Sequence, residues 1–288
     1  MIALWSATQI QGSRAYQEDR YAVVENNTIQ YRGQSYPFDP GLFPSHYSLY
    51  VLADGMGGMG HGDEAATAAV EVFVENFINL AQASPEPAQH LRQCLDRANQ
   101  AIADMVARDP DKAGMGTTLI AVLWDSQNHT VRWLSVGDSL LSLLRGDRLQ
   151  ALNEKHTFQR LADRYAEQGD PAKARELSAF GAALSSAVDG RAIPEVDLPD
   201  QPLAMASGDL IILASDGLET LSTEQVRSTL TAVTAQWSQA TDLDDATALL
   251  IAGREALLER LRMAQAPHQD NCTVVLIGWL APPPASSA

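Results

Sequence analysis

Two periods of apolar residues alternate along the chain. Residues 2–11, 20–25 and 47–53 read as strands, the last a largely apolar run that ends on Asp54. Between the second and third lies 26–46, rich in Gly, Pro and Tyr, which reads as an extended surface loop or hairpin. From residue 62 the period turns helical: Ala66, Val70, Phe73, Phe77 and Leu80 share a face, and Asp63 and Glu64 sit in the first turn, where carboxylates favour the helix dipole. Pro85 and Pro87 break the chain, and Leu91, Leu95, Ala98, Ile102 and Met105 mark a second amphipathic helix that Asp109-Pro110 ends. Residues 117–124, 130–136 and 140–144, with turn residues at 125–128 and at Gly137-Asp138, predict a meander of antiparallel strands. The stretch 158–180 is polar and helical in part, with a turn at Gly169-Asp170-Pro171. Strands return at 192–196, 209–214 and 272–279, with a short helix after Ser222 and a long one from 242 to about 264 between the last two. The tail 281–288, with three prolines, is expected to be disordered. No internal repeat or linker interrupts the pattern, which predicts a single α+β domain over 1–280.

Composition narrows the function more than the fold. A chain of 288 residues, 45% hydrophobic, builds a sizeable core without staples. The net charge of −16 leaves no basic surplus to neutralise phosphates or an anionic bilayer, so neither nucleic acid nor membrane is an expected partner. Cys94 and Cys272 have no disulfide or metal-ligand spacing and read as buried thiols. Neither is followed, after five intervening residues, by an arginine, so a cysteine-nucleophile phosphatase is excluded. The N-terminus lacks a basic start and a long apolar core, and no apolar run reaches the roughly 20 residues that span a bilayer; a cytoplasmic protein is expected.

Acidic residues in four short blocks carry the candidate chemistry. Glu18-Asp19, Asp54, Asp216 and Asp270 each abut an apolar run. A carboxylate at the end of a buried strand is costly unless paired or bound to a cation, and several together repel one another. An oxygen-only donor set of this kind suits magnesium or manganese. His156 and His268 have no second histidine at i+4 and no HExxH pattern, which argues against zinc.

The blocks resemble those of the metal-dependent serine/threonine protein phosphatases of the protein phosphatase 2C type. Arg14 to Asp19 (RAYQED), Asp54-Gly55-Met56-Gly57-Gly58, Gly116-Thr117-Thr118, Val136-Gly137-Asp138-Ser139, Ser215-Asp216-Gly217-Leu218 and Asp270-Asn271 follow in that family's order over nearly the whole chain. The resemblance implies a four-layer α-β-β-α sandwich of two antiparallel sheets flanked by helix pairs, with metals in a cleft at one edge. It implies two divalent ions, manganese or magnesium, and a third at Asp138 and Asp216. Asp54 would bridge the two ions and the Gly55 carbonyl would meet one of them; Asp216 and Asp270 would hold the first, and Glu18 and Asp19 would meet the second directly or through water. For Asp138 an ordinary hairpin turn is an equally open reading. Arg14 would anchor the substrate phosphate with its planar fork. A hydroxide shared by the metals would then attack phosphorus in line, without a phosphoenzyme.

Some positions depart from the family pattern. Met56 and Met59 stand where relatives carry a histidine, Leu140 follows GDS in place of arginine, and 184–189 reads LSSAVD where an arginine is usual. His61 is nearby, and a polar loop histidine is its plainer reading. His156 in EKHT aligns with a block that precedes a mobile flap, so 158–180 is expected either as a substrate-selecting flap or as a plain surface helical hairpin. The implied function is hydrolysis of phosphoserine and phosphothreonine in proteins, as a monomer opposing a serine/threonine kinase. Two alternatives stay open: a phosphoprotein-binding relative without catalysis, and a phosphatase of a small phosphoester.

Overall fold

Nine residues at each end of the chain pair with each other: β1 (Ile2–Ile10) lies antiparallel to β13 (Cys272–Leu280), Ile2 opposite Leu280. The structure, a computed structural model, describes residues 1–57, 61–80, 86–237, 240 and 242–280. Gly58, Met59, Pro85, the side chain of Leu80 and the tail 281–288 lie outside the described residues. In the first sheet β13 also pairs with β12 (Leu210–Ala214), which is followed by β9 (Leu140–Arg145) and β10 (Arg148–Ala151). The second sheet runs β11 (Leu203–Ala204), β8 (Thr130–Val136), β7 (Leu119–Asp125), β5 (Tyr47–Met56), β2 (Asp19–Glu25), β3 (Thr28–Tyr31), β4 (Gln34–Pro37), with β6 (Gly116–Thr117) on β5. Every ladder is antiparallel.

Side-chain alternation sorts the core into three layers of contact between four layers of structure. In β13, Val275, Ile277 and Trp279 face the second sheet, whereas Val274 and Leu276 face outward onto α5 (Thr223–Trp237) and α6 (Leu243–Ala264). In β5, Tyr50 and Leu52 face the first sheet, and Leu49, Val51 and Ala53 meet α1 (His61–Leu80) and α2 (Pro87–Arg108). Trp124 and Trp279 meet across the two sheets with ring centroids 5.2 Å apart. Because both faces of each sheet are covered, the central strands read as apolar runs rather than as clean alternation. This is the four-layer α-β-β-α sandwich that the motif order implied.

Several expectations shift in detail. Residues 192–196 form no strand; the segment is irregular, and its ladder contact is a lone bridge of Asp197 to Ser135. Pro194 has no N–H to give a ladder, and Ile193 and Val196 are half-buried against the α1–α2 core without one. The helix after Ser222 is not short but 15 residues long. The insertion at 26–46 is a hairpin, closed by Arg32 and Gly33 at φ of 50° and 73°, the doubly left-handed pair of a tight turn. It is more than surface, since Phe43 is buried against Phe77 of α1, ring centroids 5.8 Å apart. The stretch 158–180 is a helical hairpin, α3 (Phe158–Glu167) and α4 (Pro171–Ser178), tied down by ion pairs of Arg160 to Glu154 and Arg164 to Glu195. Strands β10 and β11 were not foreseen; β10 (RLQA) is short and largely polar, and β11 is only two residues long, too short to show a period.

Candidate metal centre and phosphate cleft

Alternation also delivers the acidic residues to one place. Continuing the inward-facing series of β5, Tyr50 and Leu52 are followed by Asp54; in β2, Val23 and Tyr21 are preceded by Asp19. Asp19 and Asp54 are direct partners in the β2–β5 ladder. Thr273 and Ser215 extend the inward series of β13 and β12 toward the same end. The apolar layer between the sheets therefore ends in carboxylates and hydroxyls.

The hydrogen bonds explain how Asp19 tolerates complete burial. Its Oδ2 accepts from Ser215 Oγ and Thr273 Oγ1, each at 2.7 Å. Its Oδ1 has no donor at all, and its neighbour is the Asp54 carboxyl. A buried carboxylate oxygen facing a second carboxyl needs a proton or a cation between them. Burial, then the charges of Asp19, Asp216 and Asp138, push the Asp54 carboxyl well above the usual carboxylate range. Burial and the neighbouring Asp138 and Asp270 push Asp216 up to about 6. Asp138, Asp19 and Glu18 are raised too, burial being the largest cause for each. A site that holds its carboxylates this unwillingly as anions is a site prepared for positive charge.

Arg14, Glu18, Asp54, Gly55, Asp138, Asp216 and Asp270 all line one cleft of about 420 Å³. Asp19 stands behind this wall. Arg14 is exposed on the rim and ion-paired with Asp270. Lys155 pairs with Glu219 at 2.5 Å and lowers the otherwise raised carboxyl of Asp138. Among the described residues, no three His, Cys, Asp or Glu side chains already close around a point as a finished cage. The donor set is all oxygen and fits magnesium or manganese; among the described residues no histidine or cysteine lines the cleft.

The motif blocks prove to be hydrogen-bonded to one another. The Asp54 carbonyl accepts from Thr117 Oγ1 at 2.8 Å and from Thr118 N at 2.9 Å, and Asp54 N donates to Thr118 Oγ1 at 2.9 Å. Thr118 Oγ1 in turn shares a 2.8 Å bond with Ser139 Oγ. Glu18 N donates to Asn271 Oδ1 at 2.7 Å, while Asn271 Nδ2 donates to the carbonyls of Gln11 and Tyr16. Asn271 thus fastens the whole Arg14 loop beside Asp270. Two glycines are required by close approach: a Cβ on Gly55 would lie 2.1 Å from the Gly62 carbonyl oxygen, and one on Gly62 would lie 2.8 Å from the Gly55 carbonyl carbon. The first turn of α1 consequently packs straight against the Glu18 and Gly55 wall of the cleft.

Sequence reasoning missed the supporting layer. Ser215 and Thr273 carry the Asp19 carboxylate, and only their parity in apolar strands hinted at it. His156 accepts from Gly137 N at Nδ1, 3.1 Å, and burial lowers its pKa, so a neutral imidazole pins the GDS turn from beneath. Asn153 bonds Ser135 Oγ, the Ser139 carbonyl and Leu141 N on the same turn. His61 is the first residue of α1 rather than a loop residue, lies 3.3 Å from Glu64 and is not among the described residues that line the cleft.

A cleft that gathers carboxylates for cations, with an arginine at its mouth for an anion, belongs to the class of metal-dependent phosphate-ester hydrolases. Within that class the chain belongs to the protein phosphatase 2C family, whose model matches residues 43–252. It is 26% identical to "Serine/threonine phosphatase stp" of Listeria innocua over 73% of this chain and 75% of that protein. Its fold matches the serine/threonine phosphatase PstP/Ppp of Mycobacterium tuberculosis with a TM-score of 0.69, at 24% identity over 98% of this chain and all of that one. A PstP catalytic domain in complex with two manganese ions is similar too, with a TM-score of 0.65 and 24% identity over 97% of this chain and 99% of that one.

Proposed function

We propose that this chain hydrolyses phosphoserine and phosphothreonine monoesters in proteins with the help of divalent cations. The observation that carries the reading is the donorless Asp19 Oδ1 facing Asp54 at the end of the inter-sheet core, with Arg14 on the same cleft. Asp54, the Gly55 carbonyl, Asp216 and Asp270 would hold the ions, manganese or magnesium, with Glu18 on the wall and Asp19 behind it serving a second. Asp138 with Asp216 would serve a third. Bound cations supply a water acidic enough to act as nucleophile near neutral pH and positive charge beside the phosphate oxygens. Arg14 offers two parallel donors to the phosphate, which a lysine cannot match. Ser215 and Thr273 keep the Asp19 carboxylate from swinging as charge changes, while the Thr117–Thr118 pair fixes the backbone of Asp54. The catalytic unit spans 1–280, acts as a cytoplasmic monomer and opposes a serine/threonine kinase; two buried free thiols suit a reducing compartment. No helix among the described residues is long and apolar enough to cross a membrane.

The test is hydrolysis of p-nitrophenyl phosphate and of a phosphothreonine peptide with and without manganese. Activity is expected to vanish on thorough chelation and to return with manganese or magnesium. Full activity after chelation, or activation by zinc alone, contradicts the reading. Peptide binding without turnover supports the non-catalytic alternative, and turnover of the small ester alone supports the third.

Arg14→Ala is expected to raise KM by roughly tenfold with a smaller effect on kcat, because the guanidinium meets the phosphate in ground and transition state alike. Arg14→Lys restores only part of it. Steady-state kinetics check this, and an unchanged KM in the alanine variant places the anchor elsewhere.

A further inference from the structure

A second groove, of about 660 Å³, opens beside the metal cleft and shares Met56 and Leu184 with it. Phe158, Ala192 and Pro194 continue its lining. The polar groups along it are spent on the protein itself. Ser185 Oγ donates to Glu195 Oε2 at 3.4 Å and Ser186 Oγ to the Glu195 carbonyl at 2.7 Å. Arg191 Nε donates to Asp189 Oδ2 at 2.7 Å, which balances the charged pair on the groove while leaving the Arg191 side chain 84% exposed at its rim. Between that rim and the metal cleft, Met56, Phe158, Leu184, Ala187 and Pro194 offer a ligand carbon. A substrate chain held by its phosphate at Arg14 advances at most about 3.5 Å per residue, so its nearest side chains reach a groove continuous with that cleft.

Resting on the phosphatase reading above, we infer that this groove is a specificity subsite, which takes an apolar side chain of the phosphoprotein within about two residues of the phosphorylated one. Apolar burial is non-directional, so the apolar stretch of the subsite discriminates by size and hydrophobicity. Its binding energy is available in ground and transition state alike, which places the effect in KM.

The experiment uses the manganese-loaded full chain and phosphothreonine peptides that carry Leu or Ala at each of the two positions on either side. At one position Leu is expected to exceed Ala in kcat/KM by about tenfold, mainly through KM. Ala192→Trp, on the exposed rim, fills the groove and is expected to bring that ratio close to one. Ala187→Leu, from within the lining, is a second variant expected to do the same should the tryptophan distort the loop. Wild-type enzyme with no Leu preference at any position overturns the inference, as does a preference that survives in both variants. If the wild type turns over neither the peptides nor p-nitrophenyl phosphate with manganese, the phosphatase reading itself falls and the subsite with it.

Discussion

Asp54→Asn is expected to lower kcat by at least about a thousandfold while leaving the fold intact. Asp54 sits at the point where the charges of Asp19, Asp138, Asp216 and Asp270 all converge, so its carboxylate is the hardest to keep ionised without a cation. Removing that charge removes the cation's central ligand and, with it, the repulsion. The asparagine amide also brings a donor to the neighbourhood of Asp19 Oδ1, which has none. Melting of the variant in chelator is therefore expected at or slightly above the wild-type temperature, in contrast to the loss expected on breaking an ordinary buried polar contact. Asp216→Asn should behave likewise. Near-wild-type turnover, measured with manganese on p-nitrophenyl phosphate, rules out Asp54 as the central ligand. A sharply lowered melting temperature in chelator instead makes it a structural residue.

The metal-free protein should lose stability as pH rises. The Asp216 carboxyl lies near 6 in the folded chain against an ordinary 3.8, so between these values the folded state keeps a proton that the unfolded state has released. Stability then falls as pH climbs through the folded pKa, and the loss from Asp216 alone between pH 5 and pH 8 is about 1.4 kcal/mol. Asp54 and Asp19 shift in the same direction and add to the loss as pH rises. In chelator a drop of at least about 3 °C in melting temperature is expected over that range. Asp216→Asn should flatten the slope, which separates the site from the general effect of a net charge of −16. With saturating manganese the trend should reverse, because cations bind the deprotonated carboxylates and stabilise only the folded state. A chelated protein whose melting temperature is flat or rising from pH 5 to pH 8, or an unchanged slope in Asp216→Asn, defeats the claim.

Much of this was legible before the structure, for particular reasons. Helices α1 and α2 announce themselves because each buries one face, leaving Ala66, Val70, Phe73 and Phe77, then Leu91, Leu95, Ala98 and Ile102, at helical spacing. Central strands announce themselves as apolar runs because helices cover one face and the opposite sheet the other. The elements misread have weak patterns of their own. Residues 192–196 look like a strand by composition, yet Pro194 cannot serve a ladder and the burial of Ile193 and Val196 is won by side-chain packing alone. Strands β10 and β11 exist because a neighbouring strand offers an open edge, which is a property of the partner and not of the segment.

The site divides along the same line. Glu18, Asp19, Asp54, Asp216 and Asp270 beside apolar runs already called for a cation, since isolated carboxylates at the ends of buried strands are costly, whereas the phosphate role of Arg14 and a metal role for Asp138 came only from the family resemblance. What the sequence by itself determined is therefore the chemistry, and the helices and strands that present it. Only the tertiary structure decided that Asp19 lies behind the wall and Glu18 on it, that Ser215 and Thr273 hold Asp19, and that His156 and Asn153 hold the GDS turn. It also decided that a second groove shares Met56 and Leu184 with the acidic cleft. These are contacts between residues as far apart as Asp19 and Thr273, brought together by the pairing of β2 with β5 and the stacking of one sheet on the other. A local pattern encodes which face a side chain takes, but the partner it meets there depends on a register that the whole core sets.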